Sequence, residues 1–182
     1  MSVIYKKEPL SQLQTPSSSI LVGVGLRHLH FPYYENNGPI EVDFFEAISE
    51  NFIHTRGRPF YILEKMRQNF PIALHGVSLS IAAEDDLDFE YLEKLKELYQ
   101  AIDPFLISDH LCWTGKNAHN LHNLLPFSYD QKNLEYVCEK IEKVQDYLQR
   151  QLIFENLSAY FTLNTSEMNE AEFMNKICDR TG

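Results

Sequence analysis

Short apolar runs alternate along this chain with longer stretches whose apolar residues recur at every third or fourth position. The short runs read as buried strands and the longer ones as helices with one apolar face. The first run spans 20–26, where Gly23 and Gly25 suit close approach of backbone or ligand at a crowded strand. A long loop through His28, His30, Pro32 and Gly38 leads to a second strand over 41–46. A helix is expected over 60–69, with Ile62, Leu63, Met66 and Phe70 on one side, and a third strand over 72–75. Leu87, Tyr91, Leu95 and Leu98 set a helical period over 87–99, with Asp85 and Asp86 as candidate caps. The fourth strand covers 105–108. A helix over 128–148 carries Leu134, Val137, Ile141, Val144 and Leu148 on one face, and Ser128 with Gln131 makes a capping-box pattern. A fifth strand over 151–154 and a last helix over 167–180 follow, with Thr181 and Gly182 as the stop signal.

Repeated strand–helix alternation favours a parallel sheet with helices outside it, an α/β fold. A five-stranded open sheet of flavodoxin type fits the length, but it normally carries a phosphate-binding loop early. Gly23-Val24-Gly25 lacks the third glycine of a dinucleotide loop, and no P-loop occurs. The expectation is therefore a TIM-barrel-like parallel β/α fold with about five of its eight strands. Residues 1–19, ending in Thr15-Pro16-Ser17-Ser18-Ser19, read as a tail, and 20–182 as the partial barrel domain.

The rare polar residues collect at the ends of the predicted strands. His75-Gly76 follows the third, Ser108-Asp109-His110 closes the fourth, Glu155-Asn156 follows the fifth, and Glu46 closes the second. Acid, amide or imidazole after successive strands is how a parallel barrel gathers an active site at one rim. His75 is the strongest single candidate. Asp109 and His110 are neighbours, so on a strand they point to opposite faces, which makes one a ligand and the other a residue that orients it. Glu155 follows a nearly all-apolar run, where a carboxylate is costly unless paired or metal-bound. Glu46 and the Ser49-Glu50-Asn51 segment form a second polar site, while His28, His30 and His54 are ligands, substrate contacts or loop residues. His119 and His122 read as solvated loop residues. His, Asp and Glu without a cysteine cluster suit iron, manganese or zinc with open coordination positions. A serine hydrolase is disfavoured because no G-x-S-x-G elbow is present.

Composition narrows the partners. With 26 acidic against 16 basic residues, the net charge of -10 repels a nucleic-acid backbone, and no basic stripe offsets it. No apolar run reaches the roughly 20 residues needed to span a bilayer. Cys112, Cys138 and Cys178 are widely spaced and odd in number, which argues for a reducing compartment, with the cytoplasm expected.

Several segments together resemble a known family. They are Gly23-Val24-Gly25-Leu26-Arg27 with His30, Phe45-Glu46 through Glu50-Asn51, and His75-Gly76-Val77-Ser78-Leu79-Ser80. Ser108-Asp109-His110-Leu111-Cys112-Trp113, Leu124-Leu125-Pro126, Val144-Gln145-Asp146 and Phe154-Glu155-Asn156-Leu157-Ser158-Ala159-Tyr160 follow in order. The set is similar to the DUF692 family, the multinuclear non-heme iron-dependent oxidative enzymes. The resemblance implies a TIM barrel holding two or three irons at its C-terminal rim. It implies O2-dependent modification of cysteine-containing ribosomally made peptides, with a partner protein that presents the peptide leader. It also implies His75, His110 and Glu155 as iron ligands, Asp109 as ligand or orienting residue, and Glu46, Glu50 and Asn51 as residues that shape the site. Asp109, Glu50 and Asn51 are the expected catalytic residues, and Glu46 and Asp109 join the metal candidates.

In that family the barrel continues beyond Arg180-Thr181-Gly182, and later strands supply further histidines and acids. The expectation is thus a truncated form of a longer enzyme, a chain completed by another chain, or an inactive fragment. Five strands leave two sheet edges open, which invites a homodimer. Two readings stand beside the iron enzyme: a zinc or manganese TIM-barrel isomerase or hydrolase, and a non-catalytic partial barrel serving as a binding or scaffold module.

Overall fold

In the computed structural model, residues 20–36, 38–116, 119–158 and 163–182 are described, and the expected tail over 1–19 lies outside them. Strand β1 (Gly23–Gly25) is followed by a one-turn 3-10 helix (His28–His30) and a short helix α1 (Phe31–Glu35). Next come β2 (Phe44–Ile48), a 3-10 turn (Ser49–Asn51), α2 (Arg58–Arg67), β3 (Ile72–His75), α3 (Phe89–Ile102) and β4 (Leu106–His110). Strands β5 (Trp113–Lys116) and β6 (His119–Leu125) precede α4 (Gln131–Leu148), β7 (Ile153–Glu155) and α5 (Glu170–Thr181). Strands β1, β2, β3, β4 and β7 form one parallel sheet in that order, while β5 and β6 make a separate antiparallel hairpin.

The five expected strands and four expected helices are all present, with shifted ends. β2 and β4 each run two residues beyond their expected ends, so Glu46 lies in mid-strand and Asp109 and His110 belong to β4 itself. The loop through His28 and His30 contains α1, whose Pro32 sits in the first turn, where its missing N–H costs nothing. The segment before α4 folds as the hairpin rather than as a loop. Caps differ too. Asp88, not Asp85 or Asp86, accepts the Tyr91 N–H at the start of α3. Asp130 caps α4 by accepting the Asn133 N–H, while Ser128 bonds Thr165 instead. The capping box belongs to α5, where Asn169 accepts the Glu172 N–H and Glu172 accepts the Asn169 N–H.

The sheet has two unlike faces. Phe45, Ala47, Ile72, Leu74 and Ile107 are buried under the helices, against Leu63, Leu92, Leu95 and Leu98. The opposite face carries Glu46, Ile48, His75, Ser108, His110 and Glu155, all of them intermediate or exposed. On the helix side, α4 packs against both α3 and α5. Among the described residues, no helix is long and apolar enough to cross a membrane.

The α5 cap is exposed, which makes it a local test. Asn169→Ala should lower unfolding free energy by about 1 kcal/mol in a urea titration. A change below a few tenths would mean that α5 does not need the box.

Candidate metal centre

Three strand ends converge on the open face of the sheet. Register pairs His75 with Ser108 across β3 and β4, and His110 with Glu155 across β4 and β7. Ser108 and His110 are two residues apart on one strand, so all four side chains share a face. His75 Nδ1 lies 2.9 Å from Ser108 Oγ, which fixes the ring and leaves Nε2 for another partner. His75 Nε2 and His110 Nε2 each lie 3.8 Å from a different oxygen of Glu155. The two imidazoles meet edge to face with centroids 4.7 Å apart. One donor atom from each of His75, His110 and Glu155 falls within 4.8 Å of the others. The imidazole side chains are 12% exposed and Glu155 is 59% exposed, so the group is seated in the sheet and open above.

Distances of 3.8 Å are too long for hydrogen bonds, so direct contact does not satisfy these donors. His110 Nδ1 is also buried without a hydrogen-bond partner among the described residues. Two imidazole nitrogens and a carboxylate, spaced this way and accessible from one side, can hold a divalent ion with positions left open.

The other sequence candidates fall elsewhere. Asp109 does not join the group: it is 2% exposed and lies on the helix side of β4. Its Oδ1 accepts the His110 N–H at 2.7 Å and its Oδ2 the Leu79 N–H at 3.2 Å. Burial, then the charge of Glu50, pushes the Asp109 carboxyl well above the usual carboxylate range. Glu50 is bonded to the Val77 N–H at 2.9 Å and to the Tyr91 hydroxyl at 2.6 Å. Glu46 and Asn51 are outside the triad and line a cleft of about 500 Å3 with Arg27 and His28. His30 borders a separate groove beside β1, and His54 and His122 are exposed. The Cys112 thiol is fully buried and pushed up to about 12, first by burial and then by Asp109, so it is a core residue.

Sequence reasoning missed two contributors. Ser108 orients His75, and its signal is its place two residues before His110 on the same strand face. Tyr91 reads as one more apolar position of α3, yet its hydroxyl is held by Glu50.

Comparison with known proteins shows the family and the fold. A UPF0276 protein of Caulobacter vibrioides is 42% identical over 160 residues, covering 88% of this chain and 57% of its own length. One from Rhizorhabdus wittichii is 43% identical over 166 residues, covering 91% of this chain and 59% of its own. The chain thus spans a little over half the length of the curated relatives it matches. A crystal structure of D-psicose 3-epimerase in the presence of D-fructose superposes with a TM-score of 0.58 at 15% identity, covering 87% of this chain and 60% of that one. At that identity the likeness shows the fold, a TIM-barrel-like α/β architecture, and nothing of sugar chemistry. Residues 21–182 match the sequence family described as the RiPP precursor modification enzyme MbnB/TglH/ChrH. With nearly the whole chain matched, the protein belongs to that family.

Proposed function

We propose that this chain carries part of a multinuclear non-heme iron centre that oxidatively modifies cysteine-containing ribosomally made peptides, with O2 as co-substrate. The observation that carries the reading is the convergence of His75, His110 and Glu155 at three neighbouring strand ends, in a member of a peptide-modifying family. Two imidazoles and one carboxylate with open positions are the donor set favoured by non-heme iron. Bound iron would supply activation of O2 and a seat for the substrate thiolate.

The chain's own residues supply the rest. Ser108 holds the His75 ring by Nδ1 and so presents Nε2. Glu155, more than half exposed, faces both imidazoles with separate oxygens. The cleft lined by Arg27, His28, Glu46 and Asn51 is the proposed seat of the peptide, with the Asn51 amide and Arg27 guanidinium as donors to its backbone carbonyls. The proposed partners are a precursor peptide and a protein that presents its leader, in the cytoplasm. A homodimer through the open sheet edges is the proposed assembly of this chain.

Anaerobic purification with iron supplied, followed by metal analysis and solution mass, tests this directly. Iron should be retained by the parent chain and lost in His75→Ala and His110→Ala, with unchanged far-UV circular dichroism. Iron content that survives both substitutions would remove these residues from the centre. Ser108→Ala should keep the fold and weaken iron binding by roughly 10- to 100-fold in a competition titration, as expected for a residue that only orients a ligand.

A further inference from the structure

Two carboxylates converge on one loop: that of Asp109, buried on the helix side of β4, and that of half-buried Glu50 in the turn after β2. The loop follows His75, and its N–H groups have defined acceptors. Gly76 donates to the Ser108 carbonyl at 2.7 Å and Val77 to Glu50 Oε1 at 2.9 Å. Leu79 donates to the Asp109 carboxylate at 3.2 Å. Two of these acceptors are carboxylates brought to the loop from other segments. Glu50 reaches it from the turn after β2, Asp109 from β4, and Tyr91 of α3 steadies Glu50 through its hydroxyl at 2.6 Å.

We infer that Asp109 and Glu50 are positioning residues, whose carboxylates clamp the 77–79 loop and thereby hold His75 and His110 in place. The inference rests on the reading of those histidines as metal ligands. Three facts separate it from a ligand role for Asp109. Both of its oxygens already accept backbone N–H groups, at 2.7 Å from His110 and 3.2 Å from Leu79. Its side chain lies on the face opposite the imidazoles, because it neighbours His110 on a strand. Gly76 also leaves it room, since a Cβ there would collide with Asp109 Oδ2. The clamp joins the ends of β2, β3 and β4, and through the His110 N–H it reaches the second histidine directly.

The two acids differ in what they need. Only Oε1 of Glu50 accepts hydrogen bonds, and Oε2 is buried with no partner among the described residues. Glutamine keeps that one acceptor. Asp109 accepts with both oxygens, so asparagine must set an N–H group against a backbone N–H.

Hydrogen exchange at the amides of Val77, Ser78, Leu79 and His110, measured with Fe(II) affinity and X-ray absorption, tests the clamp in the full chain. Glu50→Gln should keep parent protection and affinity. Glu50→Ala should speed exchange at Val77, and Asp109→Asn at Leu79 or His110, each by roughly tenfold. Both should weaken Fe(II) binding by about 10- to 100-fold while the bound iron keeps the parent's set of donor atoms. Gly76→Ala should reproduce the Asp109→Asn pattern. Parent-like protection in both Glu50→Ala and Asp109→Asn overturns the clamp, and so does loss of an oxygen donor from the iron in Asp109→Asn. Faster exchange in a chain whose parent binds no iron supports the clamp and removes the metal-centre reading instead.

Discussion

Side chains on a strand alternate between the two faces, and residues paired in register across a parallel sheet share one. This rule settles the whole rim once a single residue is placed. His75 pairs with Ser108, Ser108 precedes His110 by two, and His110 pairs with Glu155. Three donors from three strands therefore meet without any local distortion. The same parity sends Asp109 to the side of Leu74 and Ile107, beneath the helices. A slip of one residue in β4 would turn His110 into the core and expose Asp109. The register is pinned where it matters, by the Gly76 N–H on the Ser108 carbonyl at 2.7 Å and the Leu111 N–H on the Glu155 carbonyl at 2.9 Å.

The two faces also divide the electrostatic work. Glu155 stays more than half exposed, so its charge retains much of its hydration and it remains available as a donor. Asp109 is desolvated, and its burial, then the charge of Glu50, raises its carboxyl well above the usual carboxylate range. A buried carboxyl persists only when its oxygens are satisfied, and backbone N–H groups supply that here. The cost of desolvation is thus turned into order in the loop after His75. Acid residues of one rim serve opposite ends: Glu155 is left wet beside the imidazoles, while Asp109 is buried on the other face and half-buried Glu50 joins it at the loop.

Much of this arrangement is legible in the chain. The run Ile72-Ala73-Leu74 before His75 announces both the strand and its polar end, and the spacing of Leu134, Val137, Ile141 and Leu148 announces α4. The hairpin β5–β6 is hidden for a physical reason. Its residues Gly115, Lys116, Asn120, His122 and Asn123 give no apolar alternation, and its register shifts between Trp113 and Gly115. α1 is masked by its five-residue length and by Pro32. The end of β4 misled because its apolar content stops while Asp109 and His110 continue the strand, and that of β2 because Glu46 interrupts a run that Ala47 and Ile48 continue. The clamp was out of reach for a different reason. Glu50 and Asp109 never bond each other's nearest neighbours in sequence; they meet through backbone N–H groups of a third segment, which carry no residue-type signal.

The position of the donors within the sheet has one more consequence. β7 pairs with β4 on one side only, so Glu155 lies on an edge strand, as β1 does at the other end. Edge strands present unpaired N–H and C=O groups to any strand that can reach them. A strand added to β7 in parallel register would place alternate side chains on the face of Glu155. Ile153, 51% exposed on the same face of β7, is the apolar surface that such pairing would cover, so the edge gains by being covered whether or not an ion is bound.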